Sequence, residues 1–179
     1  MDATNYWQSV TVHTNTQFIT GKEPEVGGLL PDAVYSQALD SFVIACVDII
    51  PMYIGNMLIG LRSWEPQPDW WCFGGRMYKG ELYQAAAARN LKRELFYTLD
   101  EIEFDPSRFT LMGIYNLIWD ERAQVPVENG CHTISITMML PLTDSEFASL
   151  HPNEEYRETR WITPSEIIHS SDVYHPCLV

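Results

Sequence analysis

Gly74-Gly75 is followed, after five residues, by Glu81, after seven more by Arg89, and then by Glu94. The segment Gly74-Gly75-Arg76-Met77-Tyr78-Lys79-Gly80-Glu81 reads as a strand end running into a glycine loop. Glu81 to Tyr97, with four consecutive alanines at Ala85 to Ala88, reads as one helix. The glycine pair lets a backbone carbonyl face a ligand, because no side chain blocks the approach. Positions 90 and 94 lie one turn apart on one helix face. Arg89, two turns beyond Glu81, is placed to tie loop to helix by an ion pair, a scaffold rather than chemistry. Such a loop–helix unit suits Mg²⁺, which takes oxygen ligands and keeps several waters, so one or two carboxylates plus phosphate oxygens suffice.

The rest of the chain alternates strands and helices. Pro31 to Ala38 reads as a short helix with proline in its first turn. Ser41 to Ile50 is almost continuously apolar and β-branched, like a strand buried on both faces. Asn56 to Arg62 is a second strand, and residues 63–70 form a loop. Phe109 to Trp119 and His132 to Leu140 read as strands around a loop from Asp120 to Gly130. Thr143 to Ser149 reads as a short helix and Thr159 to Ile162 as a short strand. Thr163-Pro-Ser-Glu166 is a capping box that opens a last helix. The expectation is a mixed sheet flanked by a few helices in one domain, residues 29–179. Residues 1–28 form an N-terminal extension with a weak strand pattern at Thr11 to Phe18.

Charge narrows the function. The chain carries 24 acidic and 11 basic residues, a formal net charge of −13. Such a protein repels a nucleic-acid backbone at long range, which argues against a DNA- or RNA-binding module. A small anionic ligand is compatible with it, held by a cation and a few local arginines. Cys46, Cys72, Cys131 and Cys177 show no C-x-x-C or other metal spacing, and Cys46 and Cys72 read as small core residues. No apolar run is long enough for a bilayer and no signal core opens the chain. A cytoplasmic setting without membrane attachment is the expectation.

The glycine–helix segment resembles the Nudix box, the signature of the Nudix hydrolase superfamily. In words, that box is glycine, five residues, glutamate, seven residues, arginine-glutamate, an aliphatic residue, any residue, then two glutamates. Gly75, Glu81, Arg89, Leu91 and Glu94 stand at matching positions. The resemblance implies an α/β fold, the Nudix α/β/α sandwich with a mixed β-sheet. Asn90 and Arg93 depart from it, standing where the box has glutamates. Phe96 replaces a glycine and Phe73 a proline. Two negative charges are thereby lost and one positive charge gained. A single Mg²⁺ (or Mn²⁺) on Glu94 is expected, rather than a cluster of two or three metals.

This reduced box looks like that of the GDP-mannose mannosyl hydrolases, which keep only the final glutamate of that trio as a metal ligand. The likeness extends over Leu58-Ile-Gly-Leu-Arg62, over Trp70-Trp71-Cys-Phe-Gly-Gly-Arg76, and over Pro152-Asn-Glu-Glu155-Tyr156-Arg-Glu-Thr-Arg160-Trp161, and loosely over residues 30 to 175. That family cleaves the sugar C1–O bond, releasing GDP and inverted mannose. The resemblance implies that the Gly74 carbonyl and Glu94 bind Mg²⁺, with Glu155 in the place of a third ligand, a glutamine. It implies that Arg62 and Arg76 bind the diphosphate and neutralise the leaving group. Tyr156 stands where the family has a histidine base. A neutral tyrosine, with an ordinary pKa of about 10, is a poor base. His151, Glu154 and Glu158 on the same loop are the alternatives. Trp119 and Tyr115, with Trp70 and Trp71, are candidates for stacking on the nucleobase, and a homodimer is the family's expectation. The leading expectation is Mg²⁺-dependent hydrolysis of a nucleoside diphosphate sugar at the glycosyl carbon; the alternatives are pyrophosphatase attack at phosphorus and non-catalytic nucleotide-sugar binding.

Overall fold

The computed structural model describes residues 20, 27–66, 68–99, 101–170 and 172–178. The expected strand at Thr11 to Phe18, and nearly all of the N-terminal extension, lie outside the described residues. The elements run α1 (Asp32–Ser41), β1 (Ile44–Tyr53), β2 (Asn56–Arg62), β3 (Trp70–Trp71), β4 (Phe73–Arg76), α2 (Tyr83–Leu95) and β5 (Thr110–Trp119). They continue as β6 (Cys131–Pro141), α3 (Asp144–Ala148), β7 (Tyr156–Ile162) and α4 (Pro164–His169).

The strands form one mixed sheet, in which β3, β2, β1, β6 and β5 lie side by side, β4 joins β1 and β7 joins β2. β1 and β6 are parallel; the other pairs are antiparallel. β1 meets β2 only at their shared turn, through Met52 with Met57 and Tyr53 with Asn56. Beyond it the two strands part. β1 takes β4 from Cys46–Arg76 to Ile49–Phe73, and β2 takes β7 from Met57–Ile162 to Arg62–Tyr156. Arg62 and the start of β7 thus lie together on one branch of the sheet, and the glycine loop lies on the other.

Each face of the sheet has its own core, as alternation along a strand requires. Val47, Ile49, Leu58, Phe73, Met138 and Leu140 pack beneath Ala86, Ala87, Leu91 and Leu95 of α2. The alanines let the helix lie close to the sheet, and burial of Leu91 and Leu95 contributes roughly 1.5–3 kcal/mol each. On the opposite face Met57, Ile59, Leu117 and Ile162 pack with Ile167 of α4 and Tyr174. A sheet between helical layers is the α/β sandwich expected.

Several boundaries differ from the sequence reading. Helix α2 starts at Tyr83 rather than Glu81 because the Glu81 carboxylate turns back to accept from the Tyr78 N–H at 2.8 Å, which leaves Glu81 in the loop. β7 begins at Tyr156 rather than Thr159, because β2 supplies pairing partners along that length. β1 is shifted to Ile44–Tyr53, and its first residues are half exposed rather than buried on both faces. The box at Thr163–Glu166 caps α4, and a second at Thr143–Glu146 caps α3.

Candidate functional site

The glycine loop is pressed against β1. A Cβ at Gly74 would stand 2.2 Å from the Val47 carbonyl oxygen and 2.8 Å from Asp48 Cα, both backbone atoms with no freedom to move aside. The loop is fixed to α2 by Arg89. Its Nε donates to Glu81 Oε1 at 2.6 Å and its Nη2 to Glu81 Oε2 at 2.8 Å and to the Arg76 carbonyl at 3.0 Å. The guanidinium also lies over the Tyr78 ring, 3.8 Å from its centroid. Burial alone would raise the Glu81 carboxyl, but Arg89 and the Tyr78 N–H outweigh it and hold the group below its ordinary value. Asn90, fully buried, donates to the Gly75 carbonyl at 3.1 Å and accepts from Arg89 at 2.8 Å. The amide at this position therefore ties the loop down. Leu91 sits in the core beneath it.

Glu94 is wholly buried beneath this loop. Its Oε2 accepts from the Gly74 N–H at 2.7 Å and from the Tyr156 hydroxyl; its Oε1 accepts from Arg93 Nη2. The same Nη2 donates to the Gly74 carbonyl at 3.1 Å. Complete burial pushes the Glu94 carboxyl up to about 7, against the pull of Arg93 and Tyr156. Three donors converge on the carboxylate form. Tyr156 is itself driven well above its ordinary value, first by burial and then by Glu94. It keeps its proton and acts here as a donor, so it is no general base.

Beside this cluster lies a cavity of about 300 Å³, on the sheet face opposite the Val47–Ile49 core. Arg62, Arg76, Arg93 and Arg122 line it among the described residues, four of the chain's 11 basic residues. Arg76 lies over the Tyr35 ring of α1, 3.8 Å from its centroid. Arg122 is spoken for. It is 1% exposed and binds Asp40 at 2.8 Å, the Gly130 carbonyl at 3.1 Å and the Ser36 hydroxyl at 2.9 Å, which pins the β5–β6 loop onto α1. Asp48 forms part of the cavity floor and accepts from Ser135. Burial raises its carboxyl, against the pull of Ser135 and Arg62. Cys46, on the same floor, is pushed up to about 12, first by burial and then by Asp48, so it is no thiolate nucleophile.

The sequence-predicted residues divide accordingly. Gly74, Gly75, Arg62, Arg76, Glu155, Tyr156 and Trp119 line one cavity, and Glu94 lies behind its wall. His151 lies elsewhere: its N–H donates to the Leu95 carbonyl at 2.8 Å and its ring stands 5.3 Å from that of Tyr97. Glu154 is exposed and Glu158 pairs with Arg160 at 3.2 Å, neither of them on the cavity. Tyr115 folds over Gly113 on the exposed part of β5. Trp71, buried, meets Trp119 edge-on at 5.6 Å in the cavity wall. Asp48 was missed, although one charge inside the apolar run of β1 is a signal. Tyr35 and Arg122 carry no comparable signal.

The matched family model is the NUDIX domain, over residues 44–176. The chain belongs to the Nudix domain family. Solved structures of this family share the fold at low identity. A MutT/nudix family protein from Enterococcus faecalis is 12% identical, with a TM-score of 0.51, over 68% of this chain and 44% of that one. A MutT protein from Methanosarcina mazei is 18% identical, with a TM-score of 0.51, over 71% of this chain and 81% of that one. A bifunctional NMN adenylyltransferase/ADP ribose pyrophosphatase from Francisella tularensis, in complex with AMP and a manganese ion, is 17% identical. Its TM-score is 0.52, over 79% of this chain and 40% of that one. The chain thus spans less than half the length of the first and third of these proteins.

Nudix hydrolases typically use a divalent metal, Mg²⁺ or Mn²⁺. The donor set here does not fit one as it stands. Arg93 bonds both the Gly74 carbonyl and Glu94 Oε1, the two oxygens expected to serve a metal, and Glu94 Oε2 already has two donors. Among the described residues no three His, Cys, Asp or Glu side chains come together as a metal site. No described helix is long and apolar enough to cross a membrane.

Proposed function

We propose that this Nudix chain hydrolyses a nucleoside diphosphate derivative at the phosphoanhydride, holding the diphosphate on Arg62, Arg76 and Arg93. One observation carries the reading: Arg62, Arg76 and Arg93 line one cavity in a protein of net charge −13, and Arg93, though bonded to Gly74 and Glu94, keeps a side chain 43% exposed. Guanidinium groups recognise phosphate oxygens through planar paired N–H donors, and in a partly closed cavity they stabilise charge that develops on a leaving phosphate. Trp71 and Trp119 form an aromatic wall against which a nucleobase can lie. The Francisella tularensis relative, described as an ADP ribose pyrophosphatase, supports cleavage at phosphorus.

Glu155 takes the role of water-activating base in this reading. It lines the cavity, lies near Arg93 and Glu94, and its backbone is fixed by an N–H to Asn153 Oδ1 at 3.0 Å. A carboxylate beside bound phosphate is a competent base when it reaches the attacking water directly. Asp48, more deeply placed, suits recognition of N–H donors on the ligand.

A second reading, cleavage at the glycosyl carbon of a nucleotide sugar, is favoured by Asn90 and Arg93. They remove two carboxylates that would activate water at phosphorus, yet the arginines suited to a leaving diphosphate remain. Incubation with ADP-ribose, GDP-mannose and related compounds, followed by phosphorus NMR, separates the readings. A nucleoside monophosphate plus a sugar phosphate supports the first. A nucleoside diphosphate plus free sugar supports the second. Binding without turnover of any compound leaves a nucleotide-binding domain on a Nudix frame.

A further inference from the structure

Arg93 Nη2 bridges the Gly74 carbonyl oxygen and Glu94 Oε1, so that a permanent positive charge sits where these two oxygens converge. The neighbouring positions complete this arrangement. Position 90 is an amide with both ends bonded, to Gly75 and to Arg89. Gly75 leaves the room that the guanidinium fills, since a Cβ there would stand 3.2 Å from Nη2. Tyr156 supplies a neutral donor to the other carboxylate oxygen. The Glu94 side chain is 0% exposed while that of Arg93 is 43% exposed, so the guanidinium faces the cavity that Arg62 and Arg76 also line.

We propose that Arg93 is a resident cation in the place of a divalent metal, and that this Nudix site takes the diphosphate of its nucleotide on three guanidinium groups without a metal between. A guanidinium is always charged and offers five N–H donors in a fixed fork, so it can hold the Gly74–Glu94 pair and still present donors to phosphate. A divalent ion at the same point would have to break both Nη2 bonds and lie beside the displaced positive charge. For its ligand the proposal rests on the diphosphate reading above; for the metal it does not.

The test therefore starts with the metal alone. Mn²⁺ is titrated against the protein and the free-ion signal is followed by electron paramagnetic resonance, for the wild type, Arg93→Gln and Arg93→Lys. The wild type and R93K are expected to leave the signal undiminished at concentrations where R93Q takes up one ion, with affinity about tenfold or more above wild type. Stoichiometric Mn²⁺ uptake by the wild type would overturn the proposal, and that result needs no variant to fold. Calorimetry with ADP and GDP, in EDTA and then in Mg²⁺, forms the second arm. Affinities within about twofold of each other support the proposal, and a loss in EDTA of about tenfold or more contradicts it. If the wild type takes up no Mn²⁺ and binds neither nucleotide, the diphosphate reading fails while the closed metal position stands.

Discussion

The ring of Tyr156 fills the space above Gly60: a Cβ at position 60 would stand 2.3 Å from Tyr156 Cδ1 and 2.7 Å from Cε1. The two residues come from β2 and β7, and the fit places the tyrosine hydroxyl on Glu94. Gly60→Ala should therefore push the ring out of its seat and cost about 1–3 kcal/mol, as overpacking does. Urea unfolding of the variant measures this. An unchanged midpoint would mean that the ring has room to move.

Tyr156→Phe separates donor from base. The ring keeps its contact with Phe73, 4.7 Å between centroids, and only the hydroxyl is lost. Because Tyr156 holds its proton far above neutrality, turnover should fall by less than about tenfold and its pH profile should keep its shape. Glu155→Gln should instead lower kcat by roughly 10²- to 10⁴-fold with KM little changed. Steady-state kinetics on the best substrate checks both. Loss of turnover in Y156F with E155Q active would reverse the two roles.

The Glu81–Arg89 pair gives a pH signature. Glu81 has a folded-state pKa below its ordinary value, so its contribution to stability is fully present above the ordinary carboxylate range and is lost as pH falls through the lowered folded value. Glu81→Gln should cost about 1–3 kcal/mol at pH 7. The difference from wild type should shrink as pH falls through the acid range. Denaturation at several pH values measures it; a difference that grows on acidification would contradict the ion pair.

Leu91→Ala tests the seating of the box helix. Leu91 is 0% exposed, under α2 and against the sheet. The variant should lose about 2–5 kcal/mol. Thermal and urea unfolding report that loss.

Much of the architecture was legible because its signals are local. The capping box at Thr163–Glu166 and the alanine run of α2 state their structure in a few residues. The family fold followed from the resemblance carried by Gly75 and Glu81 in the strand and loop and by Arg89, Leu91 and Glu94 on the helix, a fixed set of offsets within one short segment. The site was legible only in part. Arg93 was visible as a departure, but only the fold shows its guanidinium reaching back to Gly74. His151 and Glu154 stand close to Tyr156 in sequence yet do not line the cavity. Neighbours on a loop need not share a direction, and no period fixes theirs. Asp48 gained its place on the cavity floor from the parting of β1 and β2, a property of strand pairing rather than of any short segment.

Binding of a nucleoside diphosphate by the arginine cavity is the central claim, and calorimetry on matched ligands tests it most directly. GDP and GMP, and ADP and AMP, are titrated into the wild type and into Arg76→Gln, a variant in which the guanidinium over Tyr35 is lost. The diphosphates are expected to bind about tenfold or more tightly than the monophosphates, and R76Q to lose most of that difference. Equal affinity for diphosphate and monophosphate in both proteins would contradict the account.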